Sequence, residues 1–239
     1  MTAAAEFAEP TAEHPVDAVF IVIAAYREAE VIAGVVEHAL AVYPNVIVVD
    51  DGSPDATAQR ARDAGATVLV HPINRGQGAA LQTGITWALK QGAGFVVTFD
   101  GDGQHDIADA RRMIDQLVAT GADAAFGNRF TEHADSVPAS RRALLKLAVV
   151  FSRVMSGVRL TDAHNGLRAM RASMAAELDI TLDGMAHASE IADKVHRSGR
   201  RYIEVPVHIR YTDYARAKGQ RWSAAFSIAT DYLLGRVMR

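Results

Sequence analysis

Short apolar runs alternate with helix-length segments through the first half of this chain, and few folds accept that pattern. Val19–Ala24, Val46–Asp50, Thr67–His71 and Phe95–Phe99 are rich in β-branched and aromatic residues and show little polar alternation. Runs of that kind read as strands buried on both faces. Glu30–Val42, Asp55–Ala64, Gln77–Gln91 and Ile107–Thr120 follow them in turn and read as helices, with a further short strand expected at Asp123–Gly127. Gly65, Gly92 and Gly121 stand where three of these helices should stop. Strands separated by helices lie parallel, and the crossovers cover both faces. The expected fold is α/β, a mostly parallel central sheet with helices on both faces.

The second half is less regular. Arg141–Met155 reads as an amphipathic helix, and Ala186–Ser198 as a helix ended by Gly199. Tyr202–Ile209 reads as a strand that Pro206 confines to an edge or a bulge. Trp222–Met238 reads as a closing helix with Trp222, Phe226, Ile228, Leu233 and Leu234 on its apolar side. Residues 1–15 read as a loose tail and 16–239 as a single domain, divided into halves at 16–130 and 131–239. No run of about 18 apolar residues suggests a membrane span, and the first residues lack the pattern of a signal peptide. The absence of cysteine excludes disulfides and thiolate metal sites, which suits a reducing cytoplasm.

The net charge is only -3, yet residues 1–139 carry 8 basic against 19 acidic residues and 140–239 carry 17 against 9. Surface scatter is one reading. The favoured one joins a metal-binding half to a half that meets phosphates or an anionic membrane surface. Nucleic acid is not an expected partner, because the basic residues lack interleaved aromatics.

Ligands of an open parallel sheet bind beyond the carboxyl ends of its strands. Three polar clusters fall there: Ala25-Tyr26-Arg27-Glu28, Asp50-Asp51-Gly52-Ser53-Pro54-Asp55 and Asp100-Gly101-Asp102-Gly103-Gln104-His105. Two carboxylates two residues apart at the end of a buried strand are costly unless something positive meets them. A hard ion, Mg²⁺ or Mn²⁺, bridging to a substrate diphosphate would do so. A calcium loop is a poor fit, since its twelfth position is Arg111. His105 reads as a metal ligand, a substrate contact or a turn residue, the last two with similar weight. Asp51 to Pro54 reads equally as a plain turn, with Asp55 as a helix cap. In Asn74-Arg75-Gly76-Gln77-Gly78-Ala79-Ala80, Gly78 is read as a packing residue, and Arg75 stays open between packing and phosphate contact.

With these residues assembled, the chain resembles family-2 glycosyltransferases of the GT-A fold, and among them the dolichol- or polyprenyl-phosphate sugar synthases. The likeness spans about residues 18–220. The Asp-Asp-x-Ser-x-Asp-x-Thr motif is intact at Asp50 to Thr57, and Asp-x-Asp-x-Gln-His at Asp100 to His105. Ala24 to Glu28 matches the opening Pro-x-Tyr-Asn-Glu, with Ala24 and Arg27 as departures, and Gln77 stands where many relatives have Lys. Asp162 to Arg168 and Glu204-Val205-Pro206-Val207 match two later segments. Gln220-Arg221-Trp222 imitates a processive-synthase signature without its spacing and is read as coincidence.

The resemblance implies a nucleotide-binding half followed by an acceptor-binding half. It implies that Tyr26, Glu28 and Asp51 hold the base and ribose, with Ala24, Val49 and Gly101 beside them. Asp100, Asp102 and Gln104 would coordinate Mg²⁺ or Mn²⁺ on the diphosphate of a nucleotide-sugar donor. Arg129, Arg141 and Arg216 would face the diphosphate or the acceptor phosphate, and with Asp102 they form the expected catalytic set. Transfer would invert the anomeric carbon. A hydroxyl acceptor needs a carboxylate base. No Glu-Asp or Asp-Asp pair follows residue 140, although Glu190 and Asp162 are candidates. A polyprenyl phosphate is already ionised and needs only positive charge to position it. The resemblance, which includes actinobacterial-type synthases, favours UDP-N-acetylgalactosamine as the donor, with GDP-mannose and UDP-glucose as alternatives. The implied location is cytoplasmic, peripheral to the inner face of the membrane, with a separate membrane-protein partner. The rival functions are a soluble transferase with a hydroxyl acceptor and a non-catalytic nucleotide-sugar binder.

Overall fold

A computed structural model describes residues 16–129, 160–162, 165–184 and 186–210. Five strands and four helices alternate as the sequence suggests. They are β1 (Val19–Ala25), α1 (Ile32–Leu40), β2 (Asn45–Asp50), α2 (Thr57–Asp63), β3 (Thr67–Val70), α3 (Gln77–Lys90), β4 (Phe95–Asp100), α4 (Ile107–Thr120) and β5 (Ala124–Asn128). Then come β6 (Arg168–Arg171), the short α5 (Ala172–Ala175), α6 (His187–Arg197) and β7 (Tyr202–Pro206). Both long helices expected at Arg141–Met155 and Trp222–Met238, and the tail at 1–15, lie outside the described residues.

The seven strands form one sheet in the order β3-β2-β1-β4-β6-β5-β7. It is parallel except for β6, which runs antiparallel to both β4 and β5. The uninterrupted apolar runs have the cause expected of them: successive side chains enter opposite cores. Val19, Ile21, Ile23 and Ala25 of β1 pack with Val36 of α1, Ala61 of α2 and Ile114 and Leu117 of α4. Phe20 and Val22 pack on the other face with Ile85 and Ala88 of α3 and Ile191 and Val195 of α6. Pro206 ends an edge strand, and regular pairing stops there rather than at Ile209.

Nothing in the sequence reading anticipates β6. Its Arg-Ala-Met-Arg composition has low strand propensity, and tertiary pairing overrides it. Arg171 explains part of the composition. It donates through Nε to the Ala122 carbonyl and through a terminal nitrogen to the Leu117 carbonyl, both at 2.9 Å. The carbonyls at the end of α4 thereby gain a cationic partner.

Helix α3 reaches the sheet closely because Gly84 faces it. A Cβ at Gly84 would lie 2.3 Å from Val22 Cγ1. Gly84→Ala gains about 1 kcal/mol in helix propensity but forces a stiff valine out of a packed core, so a net loss of roughly 1–2 kcal/mol is expected. Urea unfolding measures it, and Gly84→Ala combined with Val22→Ala should recover most of the loss.

Candidate active site

Strand register brings the three polar clusters level. Ala24 of β1 pairs with Val49 of β2 on one side and Asp100 of β4 on the other. The loops after these strands therefore leave one rim side by side, although they are far apart in sequence.

Much of the first two clusters is scaffold. The Arg27 amide donates to Ser53 Oγ at 2.9 Å, and Ser53 in turn bonds Asp50. The Glu28 amide donates to Thr57 Oγ1 at 2.9 Å, and Asp55 accepts from the Thr57 amide at 3.0 Å. Arg27 is the one non-glycine residue with positive φ (57°) among the described residues, and its guanidinium stacks 5.3 Å from the Tyr26 ring centroid. The asparagine usual in the family tolerates that conformation better than arginine does. Tyr26 is 37% exposed on the rim, whereas Glu28 and Asp51 are buried. Asp51 binds the loop after β3. It accepts from the amides of Arg75 (3.0 Å) and Gly76 (2.7 Å) and from His71 Nδ1 (2.7 Å). Gly101 packs beside the Ala24 carbonyl. Gly78 behaves as a packing residue: a Cβ there would lie 2.1 Å from the Leu182 carbonyl oxygen.

The acidic loop is organised around Asp100. Its Oδ1 accepts from Gln77 Nε2 at 3.1 Å, and its Oδ2 lies 2.9 Å from His105 Nε2. His105 is thus a partner of Asp100, buried and edge-on to Phe99. Burial alone would raise the Asp100 carboxyl, but His105 and the charge of Arg168 outweigh it and hold the group at about 2. Asp102 goes the other way, raised by burial and then by the charge of Asp100. Gln104 supports Asp102, donating its amide to Oδ1 at 3.0 Å and its side-chain nitrogen to Oδ2 at 2.8 Å. Among the described residues no three His, Asp, Glu or Cys side chains converge to hold a metal. The pair nevertheless fits Mg²⁺ or Mn²⁺. Two hard carboxylates repel each other on one loop, and such ions take few protein ligands, filling the rest with water and phosphate oxygen.

Opposite this loop, Arg129 is fixed by Asp162, whose Oδ2 accepts from the Arg129 side-chain Nε at 2.7 Å. Glu204 in turn holds the Asp162 segment, accepting from the Thr161 amide at 2.7 Å. Glu190 accepts from the amides of Thr181 (3.1 Å) and Leu182 (2.8 Å) and pairs with Lys194 at 3.0 Å. Both candidate bases are thus committed to structural partners. Arg141 and Arg216 lie outside the described residues. A cavity of about 600 Å³ lined by Val70, Thr86, Trp87 and Lys90 lies at the β3 edge, away from the acidic loop.

The sequence does not mark three neighbours of the site as such. Gln77 stands out only as a departure, and Arg168 only as the last residue of a matched segment. His187, at the start of α6, carries no sequence signal. Its Nδ1 donates to the Gly184 carbonyl at 2.8 Å. Burial, then the charge of Arg168, lowers its pKa from 6.5 to about 4.

Two outcomes are expected. Between pH 6.5 and 4 the unfolded chain takes up a proton at His187 that the folded protein refuses. Stability is therefore fully present above pH 6.5 and falls on acidification towards 4, by up to roughly 3 kcal/mol. Thermal unfolding against pH measures this, and His187→Asn should flatten the slope. At Gly166, a Cβ would lie 2.1 Å from Asp100 Oδ2. Gly166→Ala should displace that carboxylate and weaken Mn²⁺ binding about 10- to 100-fold, read by titration of the free ion's spin-resonance signal.

Comparison with known proteins agrees with this architecture. Residues 20–178 match the family described as Glycosyl transferase family 2. The polyprenol monophosphomannose synthase of Mycolicibacterium smegmatis is 31% identical over 213 residues, 83% of this chain and 80% of that protein. The UDP-N-acetylglucosamine–dolichyl-phosphate N-acetylglucosaminyltransferase of Methanococcus voltae is 27% identical over 232 residues, 88% of this chain and 92% of that one. The glucosyl-3-phosphoglycerate synthase of Mycobacterium tuberculosis, crystallised with Mn²⁺, UDP and phosphoglyceric acid, superposes with a TM-score of 0.66 over 91% of this chain and 78% of its own, at 18% identity. That likeness extends to the fold, which is GT-A. The chain belongs to glycosyltransferase family 2 and is a glycosyltransferase.

Proposed function

We propose that this enzyme transfers a sugar, with inversion, from a nucleoside-diphosphate donor to a polyprenyl phosphate at the inner face of the membrane. The observation that carries the reading is the state of its carboxylates. Asp162 is paired with Arg129, and Glu190 is bonded to two backbone amides and Lys194. Neither is placed to take a proton from a hydroxyl, and an ionised phosphate needs no such base. The names of the two relatives point to the same acceptor class.

Asp100 and Asp102, with Gln104, would hold Mg²⁺ or Mn²⁺, which when bound supplies neutralisation of the charge on the leaving diphosphate. Ala24, Tyr26, Glu28, Val49, Asp51 and Gly101 would line the nucleotide. In this reading Tyr26 offers an exposed ring to the base, while Asp51 keeps the loop after β3 closed beneath it. Arg129, oriented by Asp162, would direct a phosphate towards the anomeric carbon, joined by Arg141 and Arg216 from the acceptor half at 131–239. N-acetylgalactosamine from UDP is the donor favoured by resemblance, with GDP-mannose and UDP-glucose as the alternatives to be assayed. Among the described residues no helix is long and apolar enough to cross a membrane. Peripheral attachment, through a separate membrane protein, accounts for access to a lipid.

The test incubates the purified chain with Mn²⁺ or Mg²⁺, labelled nucleotide sugars and polyprenyl phosphate. Label should pass into the organic phase, and Asp102→Asn should slow transfer at least about 100-fold. Glu190→Gln should cost roughly 1–3 kcal/mol of stability while the folded fraction still turns over. Label that passes only to a water-soluble hydroxyl acceptor, with turnover abolished in Glu190→Gln or Asp162→Asn, would overturn the lipid-phosphate reading.

A further inference from the structure

Arg168 is a buried cation to which the scheme above gives no task. It is 1% exposed. Its Nε and both terminal nitrogens are buried without any hydrogen-bond partner. A guanidinium presents five N–H donors in one rigid plane, and burying them without an acceptor opposes folding. Such a group calls for a specific explanation.

Its position supplies one. In the sheet Arg168 pairs with Thr98 of β4 and Phe126 of β5. Alternation along the strands puts its side chain on the same sheet face as Asp100, two residues beyond Thr98. Asp100 and Asp162 attract it and Arg129 repels it. Neither carboxylate gives it an acceptor: Asp162 is bonded to Arg129, and Asp100 to Gln77 and His105. A cation on Asp100 would commit that charge further. Arg129, Arg168 and Asp162 would then form a group with one excess positive charge. The Asp100 side chain is 28% exposed and that of Arg129 18%, so both charged neighbours of Arg168 reach solvent. The partner that suits a planar cationic fork beside a metal loop is a phosphate, through one or two of its oxygens.

We propose that Arg168 is a phosphate-binding residue, its guanidinium donating to an oxygen of a reacting phosphate. The inference rests on the function proposed above, in which two reactants bring phosphate: the donor as a diphosphate, the acceptor as a monophosphate. It also implies that this arginine is kept at the expense of stability, as functional groups often are.

Arg168→Met and Arg168→Lys of the full chain test this. Binding of inorganic diphosphate and of citronellyl phosphate is measured by calorimetry at saturating Mn²⁺, Mn²⁺ binding by spin resonance, and Tm by calorimetric scanning. The methionine variant should bind at least one probe about 10- to 100-fold more weakly. It should bind Mn²⁺ no more weakly than the wild type and unfold at an unchanged or higher Tm, and lysine should recover part of the loss. Loss for the diphosphate assigns the donor, and loss for citronellyl phosphate assigns the acceptor. Undiminished binding of both probes overturns the proposal, as does a lowered Tm, which would mark Arg168 as structural. Wild-type protein that binds neither probe overturns it too. Wild-type protein that binds diphosphate but moves no sugar to lipid defeats only the proposed function.

Discussion

An ionised carboxylate at the end of a buried strand sets the terms for this molecule. Asp100 closes β4, a strand whose other residues are almost all sealed between two apolar cores. Charge in that position is tolerable only if the surroundings are built for it. The surroundings come from four directions: Gln77 at the start of α3, His105 from its own loop, Arg168 from β6, and the bare backbone of Gly166, which makes room for the carboxylate. Two of these are hydrogen bonds that fix an element: Gln77 holds the start of α3 over the sheet, and His105 folds the loop after β4 back on itself.

That convergence explains why β6 runs against the sheet. A parallel strand between β4 and β5 would need a crossover and would exit at the opposite end. Running antiparallel, β6 enters at the rim, so the residues just before it lie among the loops of the other strands. Thr98 Oγ1 donates to the Gly166 carbonyl at 2.7 Å, and Asn165 Oδ1 accepts from the Leu167 amide at 3.0 Å. The reversed strand thus delivers Asp162, Gly166 and Arg168 to the same edge as Asp100. Of the two arginines that make β6 a poor strand by composition, Arg168 lies at this rim and Arg171 at the opposite end, against α4.

Legibility from sequence divides along the same line. The parallel part could be read because its signal is local: each strand is an apolar run, each helix follows within a few residues, and glycines mark the ends. The acidic rim was readable because open parallel sheets place strand ends together, and the register of Ala24 with Val49 and Asp100 is that rule in detail. What could not be read is whatever depends on partners distant in the chain. Nothing local distinguishes Asp51 as the clamp of the 71–76 loop from Asp51 as a ligand contact. The four bonds that occupy Glu190 come from Thr181, Leu182 and Lys194, and only the fold shows that they meet. His187 is quiet for the same reason, since its low pKa arises from burial and from an arginine nineteen positions earlier in the chain.

The acidic loop also has a second attachment. The Arg210 amide donates to the Gln104 carbonyl at 2.9 Å, and Ile209 forms a bridge with His105. Asp109 of α4 accepts from the His208 amide at 2.6 Å, and Arg210 pairs with Asp106. The segment leaving β7 is therefore stitched to the C-terminal side of the loop that carries Asp102 and Gln104, and to the first turn of α4. Backbone bonds of this kind cannot follow independent motions of their two strands: displacing Gln104 displaces Arg210. The acidic loop and the segment leaving β7 are joined through their backbones, even though about a hundred residues separate them in sequence.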